Sequence, residues 1–237
     1  MLPSDVGQQL GLPDSPVNVL AAIAQGQDCM LVIDQLDATS LASGRNPQFF
    51  DCINEILFRD SNRVAYLLPT VEEMVRDPSI AVRSCVAAVV IAVIKHDRDL
   101  AVRLFEQLCD TEDVLLKTHY VERFLFYALQ THFKRLRPAV ECMLAAQESE
   151  VATVGARQVC LASLFVEDAR PLADRCISGT EAQQMGAAEV FAVNLRTANF
   201  RSVCEEALIT LFSSPYEKVR SKAGTCFHGF VEGELST

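Results

Sequence analysis

The chain has 237 residues, half of them apolar, which is ample material for a sizeable core. Lys and Arg number 21 against 31 Asp and Glu, a formal net charge of −10, and the densest basic stretch, HFKRLRP, supplies only Lys134, Arg135 and Arg137. Such a balance excludes nucleic acid and acidic membrane surfaces as expected partners, and leaves a basic or neutral protein or peptide as the simpler expectation.

The N-terminus, MLPSDVGQQLG, has no basic region leading into an apolar core, so no secretory signal is expected and the cytoplasm is the default compartment. A helix is predicted near Val17–Gln25. Residues 29–33, CMLVI, form a continuous apolar run rich in strand formers that ends at Asp34. A polar loop follows, then a helix from about Pro47 to Phe58 with Phe49, Phe50, Ile53 and Leu57 on one side. A buried strand delivering an aspartate at its C-terminal end is what a P-loop NTPase uses to hold Mg²⁺. The string LVIDQLD resembles the Walker B segment of the STAND class of signalling NTPases, in which a helical repeat region often follows the NTPase module. The resemblance implies Asp34 as the metal-side acid and Asp37 as a second acid of a nucleotide site. The chain departs from that pattern in having no GxxxxGK[ST], and Gln35 stands where many P-loop ATPases place a catalytic carboxylate. Residues 1–60 therefore read as a truncated NTPase-like remnant, with no ATP hydrolysis and no resident cofactor expected.

From about residue 61 to 237 the chain repeats itself. Val82, Thr118, Val154, Met185 and Val219 anchor five segments at steps of 36, 36, 31 and 34 residues, a period typical of stacked helical pairs. Seven residues on stand Val89, Leu125, Leu161, Ala192 and Cys226; eight residues on stand Val90, Phe126, Ala162, Val193 and Phe227. All ten are apolar, so each segment predicts a helix with one buried stripe. Asp77, Ser149, Thr180 and Ser214 precede the anchors as candidate caps. Partner helices are predicted over 63–76, 98–110, 134–147, 167–178 and 201–213, three of them carrying Pro69, Pro138 or Pro171 as a kink or a first-turn residue. The strings DPSIAVR and SPYEKVR, with this alternation, resemble HEAT repeats. The expected fold is all-α: an α-solenoid of about five helical pairs over 63–237, preceded by a short strand–loop–helix segment.

Nine cysteines are scattered one or two per helical pair without a CxxC, and read as reduced, largely buried thiols. The apolar run VAAVVIAVI at 86–94 is less than half a membrane span. His96, His119, His132 and His228 have no metal-ligand spacing.

Four residues after the anchors, the three central positions are polar: Glu122, Gln158 and Glu189. Stacking brings them into successive layers, either as a ladder pairing with Arg123, Arg157 or Arg196, or as a carboxylate-lined stripe for a basic peptide. Arg83 and Arg220, one residue past their anchors, are expected to bond a neighbouring cap carboxylate or carbonyl. At the C-terminus nothing follows to cover the last helix, so an apolar patch near Leu208, Leu211, Phe212, Phe227 and Phe230 is expected to self-associate or to meet a continuation of the chain. The function these features predict is a non-catalytic protein–protein interaction scaffold resembling the repeat arm of STAND-type NTPases; the alternative is a nucleotide-dependent switch completing a P-loop site in trans.

Overall fold

The computed structural model describes residues 57–110 and 113–229. Asp34, Asp37, the strand at 29–33, the helix near Val17–Gln25, nearly all of the helix at 47–58 and Phe230 lie outside the described residues. The described chain is helical throughout, and it contains no strand. Its elements are α1 (Ser61–Met74), α2 (Ile80–Ile94), α3 (Arg98–Cys109), α4 (Asp113–Leu116), α5 (His119–Ala145), α6 (Ser149–Ser163), α7 (Arg170–Ile177), α8 (Glu181–Asn194), α9 (Arg201–Phe212) and α10 (Glu217–Gly224). Short 3₁₀ turns at Glu167–Ala169 and Ala198–Phe200 lead into α7 and α9, and another at Thr225–Gly229 extends α10. None of the described helices is long and apolar enough to cross a membrane.

The five partner helices coincide with α1, α3, the second arm of α5, α7 and α9 to within about two residues at most ends. Pro171 sits in the first turn of α7, where its missing N–H costs nothing, whereas Pro69 and Pro138 lie inside α1 and α5. Two expected helices fuse: α5 runs 27 residues as one element, broken only by a non-helical His132 (φ −125°, ψ 29°). The stretch THFK, Thr131–Lys134, holds neither Gly nor Pro, and the chain turns there by a kink instead of a loop. Arg98 clamps that kink, its Nη1 donating to the Tyr127 carbonyl and to Thr131 Oγ1, both at 3.0 Å.

The caps shift from their expected places. Thr180 does cap α8, in a reciprocal capping box with Gln183. Asp77 and Ser214 instead act two residues early, accepting the backbone N–H of Ser79 (2.7 Å) and Tyr216 (3.2 Å) across Pro78 and Pro215. Those prolines hold the preceding residues out of the helical region, so the helix begins later. In both turns an arginine closes the structure: Arg83 Nη1 donates to the Asp77 carbonyl (3.0 Å), and Arg220 Nη1 to the Ser214 carbonyl (2.6 Å).

Packing proceeds from each helix to those of the next pair: α2 lies on α3 and α5, α5 on α6, α6 on α7 and α8, and α8 on α9 and α10. One apolar core runs along the chain, with Phe105 of α3 stacked on Phe124 of α5 at 4.0 Å between ring centroids. Ion pairs join successive units on the partner-helix side, including Arg103–Glu72 (3.8 Å) and Arg135–Glu106 (2.7 Å).

The described cysteines carry free thiols. Burial pushes the Cys204 thiol up to about 11, with Glu205 adding to the effect, and burial likewise raises Cys160, which hydrogen-bonds Cys176. Cys142 is exposed. Alkylation of the native chain at pH 8, followed by peptide mass spectrometry, should therefore label Cys142 at least about tenfold faster than Cys160 or Cys204. Equal rates would show that the core opens readily.

Candidate interaction face

The first arm of α5 and helices α6, α8 and α10 stand side by side, and the polar column of the repeat lies across them. Arg157 sits at its centre. Its Nη1 donates to Glu122 Oε1 at 2.5 Å, and its Nε and Nη2 donate to Glu189 Oε2 at 2.7 and 2.6 Å. Lys222 Nζ extends the row, 3.3 Å from Glu189 Oε1. The result is a ladder of alternating sign through four successive units. Burial lowers the proton affinity of Arg157, but Glu122 and Glu189 outweigh it and hold the guanidinium above its ordinary range. Both carboxylates thus find their counter-charge within the chain.

Gln158 joins the ladder from one side, its Nε2 3.3 Å from Glu122 Oε1. A carboxylate only accepts, so the amide must turn its NH₂ towards Glu122. That leaves Gln158 Oε1 without a hydrogen-bond partner among the described residues, on a side chain only 3% exposed. Gln158 lines a narrow cleft between α5 and α6 together with Leu125, Phe126, Leu129, Gln130, Leu161 and Ala162.

One helical turn beyond the ladder, the outward positions are apolar. Phe126 follows Glu122 by four residues, Leu161 follows Arg157, and Val193 follows Glu189, so each lies on the same face of its helix as its ladder residue. Phe126 is 43% exposed and Val193 77%, while Leu161 is half-buried. Because the ladder residues touch across helices, the residues one turn on form a parallel apolar ridge. One turn past Lys222 stands the buried Cys226, and the next residue, Phe227, is 52% exposed and stacks on Phe212 of α9 at 5.8 Å.

The ridge corrects the expectation that the eighth-position column is buried throughout. Val90 and Ala162 are buried, but Phe126, Val193 and Phe227 face outward. That position sits about 60° from the centre of the apolar stripe, at its edge, so small differences in helix rotation decide its exposure. In α6 the outward register is also one residue early: Leu161 and Ala162 both line the cleft with Phe126, but Ala162 is buried and Leu161 is the more exposed of the two. The step from Glu122 to Arg157 and from Phe126 to Leu161, 35 residues in each case, is the sequence signal for that offset.

The expected C-terminal patch is smaller than its five residues. Leu208 and Leu211 are buried at 2% and 0% exposure in the core that α9 shares with its neighbours, leaving Phe212 and Phe227 outward. A second concavity, lined by Leu68, Asp97, Asp99, Leu100, Arg103 and Arg135, has its charges already engaged, Arg135 with Asp99 (3.4 Å) and Arg103 with Glu72. Among the described residues no cluster of His, Cys, Asp and Glu could hold a metal ion. Compared with known proteins, the chain matches no family model, no curated protein and no solved structure.

Proposed function

We propose that this chain is a non-catalytic protein-interaction scaffold, an α-solenoid of five HEAT-like helical pairs akin to the repeat arm of STAND-type signalling NTPases. The observation that carries this reading is the apolar ridge, with Phe126, Leu161 and Val193 contributed by successive units above an internally neutralised ladder. Exposed apolar side chains aligned in this way mark a contact surface. Stacked pairs with unit-to-unit packing suit the purpose, because their curvature presents one long face to a partner. The fold by itself fixes no partner.

The test uses the full chain as bait in extract of its native host, beside a Phe126→Ser, Val193→Ser variant with an unchanged circular dichroism spectrum. Proteins retained by the wild type and lost by the variant are expected. Identical retained sets would overturn the reading. The switch alternative makes an opposite claim about Asp34: titration with labelled ATP and Mg²⁺ would show saturable micromolar binding that Asp34→Ala removes. For a scaffold no such binding is expected.

A further inference from the structure

We infer that residues 47–58 form a helix seated on the leading flank of α2, so that the helical repeat begins upstream of residue 61 and the chain's own N-terminal segment covers α2. The inference goes beyond the scaffold reading and takes residues 47–60 out of the NTPase-like remnant.

The helices that follow the repeat anchors form one row: α2, the first arm of α5, α6, α8 and α10. Within it α6 lies between α5 and α8, and α8 lies between α6 and α10. α2 heads the described row and has α5 as its row neighbour on one flank, with the partner helices α1 and α3 beside it. Yet α2 is buried on every side. Val86 to Val90, five consecutive residues, are each at most 1% exposed, and at about 100° per residue they point all the way round the helix. No charged residue stands between Arg83 and Lys95. The far end of the row is different: α10 exposes Glu217, Lys218, Arg220 and Ser221, the polar surface that a terminal repeat needs. A helix apolar all round belongs inside a row, not at its end.

The chain entering α1 supplies the occupant. Leu57, Phe58 and Arg59 are helical, and Leu57 is fully buried in the common core. The two residues that follow α2 hold this turn in place. Lys95 Nζ donates to the Phe58 carbonyl at 2.9 Å and lies 4.0 Å from the Phe58 ring centroid. His96 Nε2 donates to the Leu57 carbonyl at 2.6 Å. Basic side chains satisfy the open carbonyls of a helix C-terminus in this way. The turn therefore sits at the C-terminal end of α2, and a helix of about twelve residues ending there is about 18 Å long, enough to cover most of α2.

The sequence upstream fits that place. Asn46 and Pro47 have the chemistry of a cap and a first helical residue. The repeat step of 36 residues also runs on through the segment: Ile53, Val89, Leu125 and Leu161 fall in one column, and Leu57, Val93, Leu129 and Phe165 in another. Phe49 and Phe50 share the stripe of Ile53 and Leu57, while Gln48, Asp51 and Glu55 lie opposite.

Hydrogen–deuterium exchange of the full chain, read peptide by peptide, tests this. In Ile53→Ala the amides of α2 should exchange at least about tenfold faster than in the wild type, with those of α8 little changed. Ile53→Val should give the same pattern at smaller amplitude, and Glu55→Ala, on the opposite side, should leave α2 as protected as before. Unchanged protection of α2 in Ile53→Ala would overturn the inference. So would equal acceleration in α2 and α8, which would mark a general loss of stability. Protection that survives Ile53→Ala but falls on dilution would assign the flank to a second copy of the chain, and would also overturn it.

Discussion

Gly186→Ala should destabilise the chain by about 2 kcal/mol, although alanine is the better helix former by about 1 kcal/mol. A Cβ at Gly186 would lie 2.4 Å from the Thr153 carbonyl oxygen, 2.8 Å from the Arg157 nitrogen and 2.9 Å from the Ala156 Cβ. Two of those three atoms are backbone of α6, so no side chain can swing aside and the helices themselves must part. Overpacking of a tight contact costs about 1–3 kcal/mol, and a backbone clash belongs at the upper end of that range. Subtracting the helix-propensity gain leaves the net loss of about 2 kcal/mol, a fall in Tm of about 4–8 °C. Two other glycines bracket the effect. At Gly155 the tight neighbour is the Met143 Cβ at 2.8 Å, with backbone no nearer than 3.4 Å, so Gly155→Ala should be milder. At Gly224 nothing lies within 4 Å, and Gly224→Ala should stabilise by up to about 1 kcal/mol. Thermal unfolding followed by circular dichroism ranks the three. A Gly186→Ala chain as stable as the wild type would mean that α6 and α8 do not approach this closely.

The same contact shows where the sequence was legible and where it was not. The strings SEVATVG and TEAQQMG place Gly155 and Gly186 at equivalent positions, one residue past their anchors, but the other three units have Arg83, His119 and Arg220 there. Nothing in the pattern says which unit-to-unit gap is narrow. Helix positions were readable because 3.6-residue periodicity and proline placement are local properties. The kink at His132 was not, since no breaker residue announces it and the turn is held by Arg98 from another helix. The short α4 helix was also missed, being a single turn with too few residues to show a period. The ladder was half legible. Glu122, Gln158 and Glu189 stood out as polar intrusions in an apolar stripe, and Arg157 was one of three arginines within reach. Choosing among them requires the rotation of α6 relative to α5 and α8, which tertiary packing sets. The exposure of Phe126 and Val193 follows from the same rotation, so the ridge became visible only with the ladder in place.

That dependence makes Arg157 the residue whose loss should be felt most widely. Arg157→Met keeps the length and apolar stem of the side chain while removing the charge that Glu122 and Glu189 share. Breaking a fully buried pair by removing one partner costs about 3–5 kcal/mol. Here the side chains of Arg157, Glu122 and Glu189 are 30%, 25% and 25% exposed, so water offsets part of the loss. A destabilisation of about 1.5–3 kcal/mol is expected on that discount. Arg157→Lys restores the charge but not the geometry, because a single ammonium cannot reproduce the guanidinium's separate bonds to Glu122 at 2.5 Å and to Glu189 at 2.6–2.7 Å. It should recover less than half of the lost stability. Removing all three charges together, as Glu122→Gln, Arg157→Met, Glu189→Gln, should recover most of it, since no uncompensated carboxylate then remains. Denaturant midpoints for the single, conservative and triple variants measure these differences. The triple variant also separates stability from docking. Phe126, Leu161 and Val193 each sit one turn past a ladder residue, and the ladder fixes their mutual register. A triple variant with near-native stability should therefore still retain the proteins that the wild type captures from host extract measurably less well, through loss of that register. Full binding in the triple variant would show that core packing alone aligns the ridge, and that the ladder serves stability only.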